Sequence, residues 1–190
     1  MSNAIEIEAK ALINVEDYRK LVKRFPESPR YTQTNHYIDT DDLALAKAGI
    51  ALRIREKNGL FELTMKTPLS QGLLEKSVPI TMNEFCALRD FGEFPKCDLR
   101  RFLTMLDFNV DDLHILTSLS TERIDVEYEG GLLSIDRNAY SGKVDYEVEL
   151  EFNNLDGAKK ILGGLLEECG IPCTFSKISK TRRAMAAIGK

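Results

Sequence analysis

Residues 144–152 read VDYEVELEF, so that Asp145, Glu147, Glu149 and Glu151 alternate with Val144, Tyr146, Val148, Leu150 and Phe152. Successive side chains of an extended chain point to opposite faces, which gives this segment an unbroken acidic face and an apolar back. Just upstream, Ser141-Gly142-Lys143 reads as a tight turn and 132–140 has the same two-residue rhythm, making an antiparallel hairpin.

The rhythm recurs at 4–13, 31–38, 50–57, 60–67, Leu73–Ile80 and 119–128, giving eight expected strands with the two above. Asn58-Gly59 and Gly130-Gly131 are hairpin signals, and hairpins join antiparallel neighbours. Helical patterns cover 15–25 behind an Asn14 cap, 83–91, 99–106, 155–169 and a short tail from Ser179. Eight antiparallel strands suit a closed sheet. The expected fold class is α+β: an eight-stranded antiparallel β-barrel, or tunnel, with a polar, charged interior and flanking helices. Without an internal repeat or a Pro-, Gly- or Ser-rich linker, residues 1–190 read as a single domain.

Composition narrows the functional classes. A chain of 190 residues with 43% hydrophobic and 29% charged residues can bury a core unaided. No apolar run approaches the ~20 residues of a membrane span. The first residues lack a secretory pattern, so a cytoplasmic protein with no membrane partner is expected. The net charge of −4 argues against nucleic acid as the main partner. Four scattered cysteines, Cys86, Cys97, Cys169 and Cys173, read as free thiols. Only His36 and His114 are available, and no nucleophile stands beside either, so triad chemistry is disfavoured.

The remaining charges are sorted by strand. Glu6, Glu8 and Lys10 share one face opposite Ile5, Ile7 and Ala9; Arg53, Arg55 and Lys57 share another; Glu62, Thr64 and Lys66 a third; Arg123, Asp125 and Glu127 a fourth; and Asp136 stands opposite Ile135. A half-buried sheet showing its polar side to water explains simple alternation. It explains poorly why four carboxylates crowd one strand while Arg53, Arg55 and Lys66 lie on others. Like charges two residues apart on a strand are separated by ~7 Å, a repulsion that bound divalent cations would reverse. Unmatched arginines fit a polyanion rich in oxygen, because guanidinium grips phosphate bidentately. Together these features point to a metal-bound polyphosphate inside the sheet.

The Glu6-x-Glu8-x-Lys10 motif resembles that of the CYTH superfamily, the triphosphate tunnel metalloenzymes. The resemblance continues in order through Tyr37-Ile38-Asp39-Thr40, Leu52-Arg53-Ile54-Arg55, Thr64-Met65-Lys66, Glu75, Thr121-Glu122-Arg123, Asp136, residues 146–151 and Ser179-Lys180. It spans the whole chain and is strongest to the small bacterial YjbK-type members. It implies hydrolysis of a triphosphate-containing small molecule, inorganic tripolyphosphate or an organic triphosphate such as thiamine triphosphate, with Mg²⁺ or Mn²⁺. It further implies that Glu6 and Glu8 hold metal with two of Glu147, Glu149 and Glu151, and that Asp136 assists. Lys10, Arg53, Arg55, Lys66, Arg123 and a C-terminal lysine, either Lys177 or Lys180, would grip phosphate oxygens. Glu8, Lys10, Arg55 and Glu75 would act in the chemical step, with Glu75 orienting the water or pairing with an arginine. The same resemblance leaves open a class IV adenylate cyclase making cyclic AMP, a non-catalytic polyphosphate or nucleotide sensor, and a homodimer.

Overall fold

The computed structural model describes residues 2–70 and 72–190. Nine strands form one antiparallel sheet: β1 Ser2–Glu6, β2 Glu8–Ile13, β3 Arg30–Asp39, β4 Ala51–Lys57, β5 Leu60–Pro68, β6 Leu73–Ile80, β7 His114–Tyr128, β8 Gly131–Tyr140 and β9 Lys143–Glu151. Their order in space is β1-β6-β5-β4-β3-β7-β8-β9-β2. The sheet curls into a half-barrel and is not closed into the eight-stranded barrel expected from the sequence.

The difference lies at Ile7. The expected strand 4–13 is two strands, of which β1 pairs with β6 and β2 pairs with β9, so the two edges of the sheet are successive pieces of one segment. The Ile7 carbonyl accepts from the Phe152 N–H at 3.0 Å, which turns the chain towards β9. From the other side Gly72, at φ +75°, presses so closely that a Cβ there would stand 2.4 Å from the Glu6 carbonyl oxygen. A two-residue alternation cannot reveal this, because the interruption comes from a loop remote in sequence.

The hairpins follow turn chemistry. Asn58 and Gly59 have φ 53° and 73°, and Ser141 and Gly142 have φ 44° and 74°, the paired positive values that match the twist of flanking strands. The third turn is centred on Glu129 and Gly130, at φ 49° and 77°, one residue earlier than the Gly130-Gly131 signal, and Gly131 already belongs to β8.

Among the described residues six α-helices accompany the sheet: α1 Val15–Arg24, α2 Ala44–Lys47, α3 Met82–Phe91, α4 Asp98–Met105, α5 Leu155–Glu168 and α6 Lys180–Ala187. Asn14, Asn154 and Ser179 accept from backbone N–H groups of the first turns of α1, α5 and α6, and Thr81 with Glu84 forms a capping box on α3. The short α2 was not expected. It is held by a buried acid, as Asp39 accepts from the N–H groups of Leu45 at 2.9 Å and Ala46 at 3.0 Å.

The outward faces of the strands are apolar and covered by helices. Leu52, Ile54, Leu63, Met65 and Val78 pack with Phe85 and Leu88 of α3 and Leu99 and Leu103 of α4. Ala9, Ile124, Leu133, Ile135, Val148 and Leu150 pack with Leu21 of α1 and Leu162 and Leu165 of α5. A third cluster joins Tyr37, Leu119 and Tyr140, from concave-side positions, to Ala184 and Met185, so α6 is seated within the curl of the sheet.

Two glycine substitutions test the origin of the break at Ile7. Gly59→Ala, at φ +73° with open space around it, is expected to cost about 1 kcal/mol of left-handed strain. Gly72→Ala shares that strain and adds the clash with Glu6, so it should cost about 3 kcal/mol. Urea denaturation midpoints measure both, and equal losses would show that the approach of Gly72 does not shape the edge.

Candidate active site

Every strand turns its polar face inward, where the concave side encloses a cavity of about 330 Å³. Its walls carry Glu6, Glu8 and Lys10 from the split first strand, Arg53 and Arg55 from β4, Lys66 from β5, Arg123 from β7, Glu149 from β9, and Lys177 and Lys180 before and in α6. The register explains this convergence: Arg55 lies opposite Asn35, Lys10 opposite Glu149, Asp136 opposite Arg123 and Glu147, and Lys66 opposite Glu75, all on one face.

At the base is a compact ionic nest. Asp136 and Glu147 are fully buried, and Lys180 Nζ lies 2.9 Å from Asp136, 2.7 Å from Glu147 and 2.7 Å from Glu149. Arg123 closes one flank, donating to both Asp136 oxygens at 2.7 and 2.6 Å and to Glu149 at 2.8 Å. Arg183, one turn along α6, closes the other by bonding Glu147 at 2.9 Å and Asp145 at 2.8 Å. Burial opposes the charge on Lys180, but Glu149, Asp136 and Glu147 outweigh it and hold the ammonium protonated far above its ordinary range. For Glu149, too, burial opposes ionisation, and Lys180, Arg123 and Lys10 overcome it to hold the carboxyl well below the usual range.

Above the nest, charge is only partly paired. On one wall no carboxylate lies within ion-pair distance of Arg55 among the described residues, and its only hydrogen bond is a long one from Nε to Asn35 at 3.4 Å. Arg53 is 3.8 Å from Glu75, and both its Nε and the Tyr37 hydroxyl are buried without a hydrogen-bond partner. Arg53, then burial, then Arg123 pull the Arg55 pKa down to about 10, the mark of an uncompensated positive field. It still leaves Arg55 charged at neutral pH.

On the facing wall the excess is negative. Lys10 bonds Glu8 at 2.5 Å and Lys66 pairs with Glu6. Burial and Glu149 nevertheless push the Glu8 carboxyl up, with Glu6 adding to them against Lys10. The Glu151 carboxyl is also raised, by burial and then by Glu6. Such carboxylates suit a hard divalent cation, which would relieve the repulsion. Asp136, Glu147 and Glu149 also offer oxygens within 4.8 Å of one another, but Lys180 already stands among them. Lys180 and Arg123 hold Glu149 as well, which leaves Glu8 and Glu151 as the carboxylates of this wall that are raised.

The residues singled out from sequence thus fall into two groups. Those named above as lining the cavity come together; Glu75, Asp136 and Glu147 lie outside its lining, and Glu151 is exposed near Glu6. Glu75 pairs with Lys66 at 3.1 Å. Burial works against its ionisation, and Lys66 followed by Arg53 holds its carboxyl low. Of the two C-terminal lysines, Lys180 is buried in the nest and Lys177 is exposed at the rim. The sequence reading missed Gln33, Asn35 and Tyr37 of β3, buried at alternate positions on the cavity side, and Arg183, whose spacing of three from Lys180 on α6 was the available signal. His36 lies on the outer face against Phe85, and all four cysteines are free. No helix of the described residues is long and apolar enough to cross a membrane.

Comparison with known proteins places this geometry in context. The CYTH domain profile matches residues 4–172. A Bacillus subtilis (strain 168) protein named "Putative triphosphatase YjbK" is 34% identical over 176 residues, 90% of each chain. A crystal structure described as "a putative adenylate cyclase" from Bacillus halodurans superposes with a TM-score of 0.88 at 32% identity, covering 96% of this chain and 98% of that one. A Hippeastrum protein described as a "putative adenylyl cyclase" that reveals a dominant triphosphatase activity superposes with a TM-score of 0.82 at 25% identity over 96% of each chain.

The two charge arrangements predict opposite stability effects. Lys180→Met leaves buried Asp136 and Glu147 short of a partner and should cost about 3–5 kcal/mol. Glu8→Gln should instead stabilise the metal-free protein at neutral pH. With the folded-state carboxyl raised above its ordinary 4.5, ionised Glu8 weakens the fold above that pH and ceases to do so below it. The mutant's advantage in urea midpoint should therefore vanish as pH falls through that range. A Glu8→Gln protein less stable than wild type at pH 7 would show that Glu8 is compensated after all.

Proposed function

The chain belongs to the CYTH domain family, and from that premise we propose that it hydrolyses a triphosphate, inorganic or organic, with divalent metal in the concave cavity. The observation that carries this reading is the facing pair of unbalanced walls. Among the described residues Arg55 has no carboxylate within ion-pair distance and Arg53 has Glu75 alone, at 3.8 Å, opposite a wall where Glu149 and Glu6 repel Glu8. A phosphate chain with its metal satisfies both walls at once, whereas either alone satisfies one.

In this reading Glu6, Glu8 and Glu149, with Glu151, hold Mg²⁺ or Mn²⁺, which would screen phosphate oxygens and acidify a bound water. Arg53 and Arg55 bind non-bridging phosphate oxygens from the cavity wall. Lys10 and Lys66, each now paired with a glutamate, would supply further phosphate contacts from the same cavity wall. Arg123 and Lys180 reach the cavity from the nest and keep its base positive. Glu75 orients Lys66 and Arg53 instead of activating water, since both of its cationic neighbours lie between it and the cavity. Residues 1–190 act as one CYTH domain, with α6 included although the family match ends at residue 172.

Phosphate release from tripolyphosphate and ATP in Mg²⁺ or Mn²⁺ tests the activity. Cyclic AMP and pyrophosphate from ATP, with tripolyphosphate left intact, would replace hydrolase by cyclase. Glu8→Gln should lower turnover roughly 100-fold and shift metal dependence to higher concentration, with partial recovery at high Mn²⁺. Arg55→Ala should raise KM about 10- to 100-fold, the loss of a charge-assisted phosphate contact, while leaving metal affinity in the absence of substrate unchanged. Wild-type turnover and metal dependence in a folded Glu8→Gln protein would remove Glu8 from the site.

A further inference from the structure

The half-barrel is open along one seam, and the seam is not empty surface. Where β1 and β2 part, a second cavity of about 690 Å³ lies between the split strand, the loop around Ser70 and Gly72, and the start of α5. Glu6, Glu8, Lys10, Leu73 and Lys177 line both this cavity and the charged one, so the two adjoin at the split strand. Their characters differ. Beyond the shared charges, the seam adds Phe175, Leu155 and Ile7 as apolar surface, and Asn154, Asp156 and Lys159 as polar groups. Neither Asp156 nor Lys159 forms a side-chain ion pair among the described residues.

Resting on the triphosphatase reading above, we propose that this seam cavity receives the organic group of a triphosphate ester, an aromatic heterocycle such as a nucleoside base. Phe175 is the stacking surface. Its ring is 38% exposed, yet its backbone is fixed, since Phe175 bridges to Ala11 and the next N–H, of Ser176, donates to the Lys10 carbonyl at 2.8 Å. The tip of the ring lies against α5, 3.9 Å from where a Cβ at Gly163 would stand. A fixed, half-exposed aromatic ring beside unpaired polar side chains is the usual composition of a heterocycle site. Its volume lies within the usual range of small-molecule pockets, whereas the charged cavity offers the phosphates donors but the heterocycle no comparable apolar face. The seam thus sets the polarity of binding, with the organic group at Phe175 beyond Lys177 and the phosphate chain running inwards to the charged cavity.

Steady-state hydrolysis of ATP and tripolyphosphate by wild type, Phe175→Ala, Phe175→Tyr and Leu155→Asn tests the proposal. Phe175→Ala and Leu155→Asn should raise KM for ATP about tenfold and leave that for tripolyphosphate within about twofold, while Phe175→Tyr keeps the wild-type value. An unchanged KM for ATP in both variants, or equal rises for both substrates, overturns it. If wild type hydrolyses neither compound, the triphosphatase reading fails by itself. Calorimetric binding of ATP and tripolyphosphate to the same variants then decides the seam by the same criterion: selective weakening of ATP supports it, and parallel or no weakening overturns it.

Discussion

One ammonium group organises the lower half of the molecule. Lys180 enters from the C-terminal helix and meets carboxylates of two adjacent strands, in a place where Asp136 and Glu147 have no access to water and Lys180 has little. Isolated charges so placed would cost several kcal/mol each, and only mutual neutralisation makes their burial tolerable. The nest therefore cannot be assembled in part: β8, β9, Arg123 and α6 come together or not at all. The strand network alone leaves the concave face of β9 with a crowd of like charges, and α6 alone has too little apolar area to remain bound.

The upper half reverses that logic. There, cations and anions occupy opposite walls, and several groups retain unspent bonding capacity, notably the guanidinium of Arg53 and the hydroxyl of Tyr37. A protein selected only for stability would pair them across the cavity. Holding them apart is possible because the nest and two apolar coats fix the walls from outside. The repulsion among Glu6, Glu8 and Glu149 is thus a cost borne by the apo fold for the sake of what binds.

Much of this was legible in the residues and some could not be. Alternation assigned each strand's two faces correctly, because one face packs on helices and the other on charge, a contrast that period-two reading detects directly. Alternation says nothing about depth. Glu147 and Glu149 look equivalent in the sequence, but Glu147 lies opposite Asp136 at the base while Glu149 reaches the cavity, a distinction set by the stagger between strands. Glu75 is hidden in the same way behind Lys66. The break at Ile7 and the capping of α2 by Asp39 arise from contacts with Gly72 and with a short helix that has no amphipathic pattern, so neither leaves a local trace. The seam subsite escaped for a related reason: Phe175 is an ordinary aromatic residue until the topology lays it beside the parted edges.

The split first strand also has a consequence for biosynthesis. Residues 2–13 are synthesised before the strands they pair with, and Glu8 finds its ladder partner only at Glu151. At ~5–20 residues per second the partner emerges roughly ten to thirty seconds later, so the charged N-terminal segment must wait unpaired through most of synthesis. β4, β5 and β6 meanwhile form from consecutive hairpins and present a free edge to which β1 can add early. The molecule is then expected to assemble from both flanks towards the N-terminus, with the docking of β2 against β9 as the last and slowest event. The acidic and basic side chains of that segment keep it soluble during the delay, so the residues proposed to hold metal in the finished enzyme would also protect the nascent chain from premature association.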